Sequence, residues 1–384
     1  SFETVWKADG TNTSSADNSV KLATTPAKCG RVIGAMTVYW LRDKNPVWRQ
    51  TAERMIQRLA ELTVDQGKFA YIPLGAYEPH GRFGPKAKMP TGWDSVDYGN
   101  IRMIQGLAQY YRATGYDPAR NLAAKLVAYG LGPAEYYDAQ GRFLFSAVER
   151  EALMTSTRMK RNYPEAKEAT LGGHFHCHTI GMLSMLEYAA LVKDQQTLQV
   201  INSGFQWART QGSSLVGFFP ELIINDRYLT CESCEVADMI GIAVKLSDAG
   251  VGDYWDDVDR WVRNQFTEQQ LTDGKWFDEL AKTQPTMPVA DNETAERLVE
   301  RNIGTFAGWA SANEWATLIG IQQCCLGNSA RALYYVLQSI VQVQEGQLRV
   351  NLLLNRATPW VDVYSYIPYQ GRAELIFKKP FEKV

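Results

Sequence analysis

Glu232-Ser233-Cys234 and, some ninety residues later, the adjacent pair Cys324-Cys325 offer three soft thiols and one carboxylate. Sulfur and oxygen donors in that number make a four-ligand set for zinc, split between two distant parts of the chain. Four of the six cysteines (Cys231, Cys234, Cys324 and Cys325) fall in these two places. Adjacent cysteines bond to each other only under strain, which disfavours a vicinal disulfide. Three readings stay open: inert buried thiols, a structural zinc site, and a reactive metal-bound thiolate. Helical patterns follow both clusters, and helix N-termini stabilise thiolates. That placement favours the third reading.

Two further groups could do chemistry. His174-Phe175-His176-Cys177-His178 holds three of the four histidines. In a strand, alternate side chains share a face, so such a run could hold a metal. In a loop the rings would bond locally. With a metal set already complete elsewhere, His174, His176 and His178 are expected to contact substrate at a cleft mouth. Phe218-Phe219-Pro220-Glu221 places a carboxyl among aromatic rings, where its acid form is favoured and it could serve as a general acid. A solvated loop glutamate is the plain alternative. Tyr77-Glu78-Pro79-His80-Gly81 is a similar loop that offers His80 as another substrate contact. Glu235, Asp238, Asp256 and Asp257 read as helix caps and solvated faces.

The elements that must position these groups are helix pairs. Residues 101–131, 179–210 and 235–266 each read as an amphipathic helix, a short turn containing Asp117, Asp194 or Asp253, and a second helix. Further helices are expected at about 46–65, 312–323 and 328–343. Repeated antiparallel pairs suggest a mainly α chain closed as an (α/α)6 barrel with short β segments, spanning residues 1–345. Long aromatic, Gly/Pro-rich connectors at 71–98, 133–175, 211–231 and 270–310 would gather at one mouth of such a ring. From about 346 the pattern alternates and reads as strands. Residues 346–384 are expected to be a β-strand extension, the start of a β-sandwich or a truncated β domain.

Bulk composition sets the outer limits. The chain has 384 residues, 45% hydrophobic and 21% charged, which is enough for a sizeable core. A net charge of −2 gives no basic footprint for nucleic acid. No apolar run has the roughly eighteen residues of a membrane span. Six cysteines in this length do not make a disulfide scaffold. Aromatic residues (11 Trp, 19 Tyr and 14 Phe) fill a core or provide stacking platforms for sugars. A secreted or periplasmic location is expected over a cytoplasmic one, and oligomeric state is not legible.

The Cys clusters resemble those of glycoside hydrolase family 127, the β-L-arabinofuranosidase type. That family carries Glu-Thr-Cys before one helix and Cys-Cys-Pro-Pro-Asn before another. This chain has Glu232-Ser233-Cys234 and Cys324-Cys325-Leu326-Gly327-Asn328, then Ala330-Arg331. The similarity runs over roughly 98–370 and includes the stretch Asp253–Asn264 and the strand Leu348–Leu354. It implies an (α/α)6 barrel followed by β material, with zinc held by Glu232, Cys234, Cys324 and Cys325. It also implies Cys324 as nucleophile of a retaining glycosidase, Glu221 as acid/base and His178 as a sugar contact. The chain departs from the family at Asp97-Tyr98-Gly99-Asn100, which lacks a histidine, and at Leu326-Gly327. A carbohydrate substrate follows from the resemblance. Two rivals are a sugar epimerase or lyase, with His176 or His178 as the proton-transfer base, and a non-catalytic carbohydrate-binding barrel with structural zinc.

Overall fold

Helices dominate the computed structural model, and several of their ends are written in the local sequence. It describes residues 4–6, 12–14, 26–73, 88–97, 99–145, 171–224, 230–275, 277, 279, 282–283, 289, 294–311, 320–344 and 346–384. In chain order the helices are α1 (Pro26–Asp43), α2 (Pro46–Leu62), α3 (Trp93–Asp97), α4 (Asn100–Thr114) and α5 (Asp117–Gly130). Then come α6 (Phe175–Val192), α7 (Gln195–Arg209), α8 (Ser233–Asp248), α9 (Trp255–Trp261), α10 (Leu298–Asn302) and α11 (Gln323–Ile340). Asn45 starts α2 by accepting the Val47 N–H at 3.1 Å, with Pro46 in the first turn. Gly115, at φ 70°, ends α4 with its N–H on the Tyr111 carbonyl. Asp194 caps α7, accepting the Thr197 N–H at 3.2 Å and its hydroxyl at 2.7 Å.

The chain divides into two compact units. The first comprises residues 1–208, 222–225 and 245–252. In it, α1 crosses α4 at a glycine contact: a Cβ on Gly106 would lie 2.0 Å from the Gly30 carbonyl oxygen. Only glycine lets the two backbones approach so closely. Helix α6 is buried on all sides from Phe175 to Ala189, as expected of a helix that is apolar all round. Its one acid, Glu187, bonds Arg112 of α4 and Lys245 at the end of α8, both at 2.9 Å. Short antiparallel pairs complete the unit: β1 (Thr4–Trp6) with β2 (Asn12–Ser14), β3 (Val64–Asp65) with β4 (Ala70–Tyr71), and β5 (Leu171–His174) with β6 (Leu222–Ile224).

The second unit comprises residues 209–221, 226–244 and 253–384. Helix α8 is fully buried along Ser233–Val244. Helix α9 runs on into a π-type turn at Val262–Phe266. Buried Trp261 donates its indole N–H to the Ser214 carbonyl at 2.7 Å. Strand β7 (Cys231–Glu232) pairs with β8 (Trp309–Ala310), facing Cys231 with Ala310 and Glu232 with Trp309. At the C-terminal end, β9 (Val341–Gln344) and β10 (Gln347–Val350) form a hairpin, followed by the sheet β11 (Arg356–Ala357), β12 (Val361–Ser365), β13 (Ala373–Phe377). Val361 and Val363 alternate inward on β12 and are buried.

The three helix pairs are present, with shifted ends. Helix α6 begins at Phe175 and takes in His176, Cys177 and His178, which the sequence placed ahead of it. The helix expected at 328–343 is α11, which starts at Gln323 and already holds both cysteines of the pair. Most of the helix expected at 312–323 lies outside the described residues. Helix α1 was not expected, because its apolar spacing is broken by Gly30, Arg31 and Gly34. Among the described residues no helix is long and apolar enough to cross a membrane.

Candidate metal centre

Two helix starts build the centre, both within the second unit. The strand β7 turns abruptly into α8. Ser233 fastens that corner, its N–H donating to the Gly308 carbonyl at 3.2 Å and its hydroxyl to the Ala307 carbonyl at 2.7 Å. Glu235 reaches back to accept the Glu232 N–H at 2.8 Å, the returning half of a capping box. Gln269 donates to the Cys231 carbonyl at 3.0 Å. These bonds hold Glu232 and Cys234 to a fixed course. Opposite them, Gln322 is extended (φ −117°, ψ 142°) and α11 begins at the next residue, which sets Cys324 and Cys325 in its first turn.

The ligand atoms of Glu232, Cys234, Cys324 and Cys325 all lie within 4.8 Å of one another. Cys234 Sγ is 3.3 Å from Cys325 Sγ, which is 3.6 Å from Cys324 Sγ and 3.4 Å from Glu232 Oε1. A tetrahedral zinc with Zn–S bonds of about 2.3 Å needs its sulfurs about 3.8 Å apart, so these separations fit with small adjustments. The donor set, three sulfurs and one carboxylate, also suits zinc. Glu232, Cys234 and Cys325 are buried, while Cys324 is exposed. Burial, the neighbouring thiols and the Glu232 charge push the Cys234 thiol well above its ordinary pKa. For Cys325 the hydrogen bond from Cys234 pulls down, but the bond to Cys324 and burial prevail and the pKa rises. A divalent cation inverts this balance, because its charge lies closest to the sulfurs.

Glu221 stands beside the cluster. Its N–H donates to the Thr230 carbonyl at 2.9 Å, and its carboxylate accepts the Thr230 hydroxyl at 3.4 Å. The side chain is buried, and one oxygen lies within 4.8 Å of a Glu232 carboxylate oxygen. Phe219 just before it is fully buried and meets Trp261 edge to face at 5.2 Å. The plain expectation of a solvated loop glutamate is therefore not met. Glu232 therefore has both the thiols and the Glu221 carboxyl as neighbours.

The histidines lie in the first unit and do not form a strand face. His174 ends β5, His176 and His178 are in the first turns of α6, and the helical period separates them. His174 Nδ1 is 3.1 Å from Cys177 Sγ, and its ring lies 5.8 Å from Trp93. His176 is buried. His178 is fully buried between Tyr136 and Phe143, with ring centroids at 3.8 and 4.4 Å. Its Nδ1 faces the His174 carbonyl and its Nε2 the Leu144 carbonyl, both at 3.1 Å. The ring is thus stacked on both faces, with a backbone carbonyl at each nitrogen. His80 lies outside the described residues.

Of the acids read as caps or solvated positions, Glu235 does cap and is also buried, while Asp238 and Asp257 are buried in ion pairs. Glu235 holds the Glu232 backbone, as described. Asp257 bonds Arg209 at 2.8 Å and Arg260 at 2.6 Å. Asp238 bonds Arg331 at 2.6 Å. The available signal was spacing: Asp238 falls one turn after Cys234, on a stretch with an otherwise apolar surround. Asp256 is exposed, as expected.

No family model matches the chain, and no curated protein matches it in sequence. Similar solved structures exist. A sugar epimerase from a ruminal bacterium is 12% identical over 85% of this chain and 79% of its own, with a TM-score of 0.50. A family 127 β-L-arabinofuranosidase from Geobacillus stearothermophilus T6 is 14% identical over 94% of this chain and 64% of its own, with a TM-score of 0.43. A family 76 α-mannanase from Bacteroides thetaiotaomicron is 12% identical over 82% of this chain and 84% of its own, with a TM-score of 0.44. All three are sugar-processing enzymes. At this identity the likeness to the epimerase is one of fold alone.

Proposed function

We propose that this chain is a zinc-dependent retaining glycoside hydrolase built on an (α/α)6 ring, with Cys324 as nucleophile and Glu221 as acid/base. The observation that carries the reading is the asymmetry of the cluster. Of four convergent ligands, only Cys324 is exposed, and a second carboxyl, Glu221, lies within 4.8 Å of the buried Glu232. A nucleophile must be reachable by substrate, and of the four side chains Cys324 meets that condition. Glu232, Cys234, Cys324 and Cys325 would hold the ion, which when bound keeps the sulfurs as thiolates near neutral pH.

The residues then divide the work. Cys324 Sγ attacks the anomeric carbon as the glycosidic C–O bond breaks. Glu221, as the carboxylic acid, gives its proton to the departing oxygen. A thioglycosyl link to Cys324 remains. Glu221, now a carboxylate, takes a proton from water, whose oxygen displaces the sulfur and regenerates the thiolate. The substrate class is a plant or microbial polysaccharide or oligosaccharide, of the β-L-arabinofuranoside type in the first instance. The test is turnover of a panel of aryl glycosides by the parent and by Cys324→Ser. Loss of turnover is expected. Retained turnover with zinc still bound would end the nucleophile assignment.

The fold likeness to a sugar epimerase favours a second reading, isomerisation with His176 or His178 as base. The full burial of His178, with a carbonyl oxygen 3.1 Å from each ring nitrogen, speaks against that role. Products decide between them. Hydrolysis in H2¹⁸O places solvent oxygen at the anomeric carbon, whereas epimerisation leaves the chain length unchanged.

A further inference from the structure

The two helices that deliver the thiols are joined a second time. Asp238 lies four residues beyond Cys234 on α8, and Arg331 lies seven beyond Cys324 on α11. Those intervals are one and two helical turns, so Asp238 shares a face with Cys234 and Arg331 with Cys324. Arg331 Nη2 donates to Asp238 Oδ1 at 2.6 Å. The Asp238 side chain is 0% exposed and that of Arg331 19%. The guanidinium also lies over the Tyr335 ring, 5.9 Å from its centroid, which limits its swing.

Burying such a pair is a poor way to gain stability, since an apolar pair of like volume serves as well or better. What the pair adds is a fixed distance and direction. The cluster needs that constraint. Cys234 and Cys325 sulfurs lie 3.3 Å apart, and Cys325 is 3.4 Å from the Glu232 carboxylate. Side chains from two separate helices can meet one ion only if the two helix starts keep this separation.

Resting on the metal reading above, we infer that the Asp238–Arg331 ion pair is a positioning device. It holds α8 and α11 at the separation that lets Cys234, Cys324 and Cys325 meet one tetrahedral ion without rearrangement. Neither residue touches the ion or the substrate; both act through the ligands.

The test uses the full chain carrying Asp238→Leu with Arg331→Met, which leaves no lone buried charge, and Arg331→Lys alone, which keeps the charge and loses the planar fork. Zinc affinity is measured by competition with a chromophoric chelator. Cobalt(II) is used as a spectroscopic probe of thiolate coordination. Circular dichroism of the metal-free proteins reports folding. The expected result is a loss of about 10- to 100-fold in zinc affinity, the usual cost of disturbing groups behind metal ligands. Weaker sulfur-to-cobalt charge-transfer bands and an unchanged metal-free fold accompany it. A folded double variant with parental zinc affinity overturns the proposal. Should the double variant not fold, Arg331→Lys decides, and parental affinity there overturns it equally. A parent protein that takes up neither zinc nor cobalt overturns the metal reading itself, which is seen before any variant is compared.

Discussion

Single residues carry the chemistry through their surroundings, and the same kind of residue acts differently a few positions away. Cys231 and Cys234 are both fully buried on one strand-to-helix corner, yet only Cys234 converges with the pair on α11. Glu221 and Glu232 are neighbouring buried carboxyls, one bonded to Thr230 and one to Cys325. If Glu221 is the proton donor, Glu221→Gln should lower kcat by about 10²- to 10⁴-fold on poor leaving groups. It should spare the first step on dinitrophenyl glycosides, and intact-protein mass spectrometry should then find sugar accumulated on Cys324. Equal loss on all leaving groups would remove Glu221 from that role. His178 makes a different prediction. Burial lowers its pKa from the usual 6.5 to about 3, against the raising effect of the His174 and Leu144 carbonyls. Between those values the unfolded chain binds a proton that the folded ring does not. Stability should therefore fall by about 1.4 kcal/mol per pH unit from near pH 6.5 downward. Urea titrations of the parent and His178→Gln across pH 4–7 check this, the variant being less stable at pH 7 but flatter with pH.

Elements were legible where local signals agreed, and illegible where a long-range contact decided. The turns at Asp117, Asp194 and Asp253 were readable because the apolar spacing, the acid and the helix end coincide. The start of α6 was not. A run of alternating histidines looks like a strand, and only burial of Phe175 and His178 among Tyr136, Tyr137 and Phe143 makes it the first turn of a helix. Likewise the four side chains of the cluster, which could hold a metal, could be named from residue type, whereas the burial of Glu235, Asp238 and Asp257 could not, because each depends on a partner remote in sequence or on another element's course. The contact of α6 with α4 and the end of α8 shows the same rule. Glu187 is held well down in pKa, to about 2. Burial opposes ionisation, but the Lys245 and Arg112 charges prevail. Being depressed, it contributes stability above the unfolded carboxyl pKa, and loses it as pH falls from about 4.5 toward 2. The shift amounts to about 3 kcal/mol. Glu187→Ala removes the carboxylate that both Lys245 and Arg112 bond and should cost about 3–5 kcal/mol at pH 7. Chemical denaturation at pH 7 and pH 3 should find that cost reduced at the lower pH. A loss below 1 kcal/mol at pH 7 would show the network to be dispensable.

At the scale of the whole chain, the two units differ in what holds them. The first rests on helix contacts such as Gly30 against Gly106 and on the Glu187 network, all within apolar packing. The second spreads its ligands from residue 232 to residue 325, so one ion would cross-link chain segments far apart in sequence. An ion that binds the folded state alone stabilises it by RT ln(1 + [L]/Kd), about 2.7 kcal/mol at a hundredfold excess over Kd. Chelation should accordingly lower the thermal midpoint, and added zinc should restore it in proportion to the logarithm of its concentration. The loss should also be local. Hydrogen exchange after chelation is expected to rise at Cys231–Val244 and Gln323–Ile340, whose starts the ion would tie together, while Pro26–Asp43 and Asn100–Thr114 keep their protection. Uniform acceleration over all four segments would mean that the ion governs a single cooperative transition. No change in any of them would mean that the thiols and Glu232 hold their positions without it.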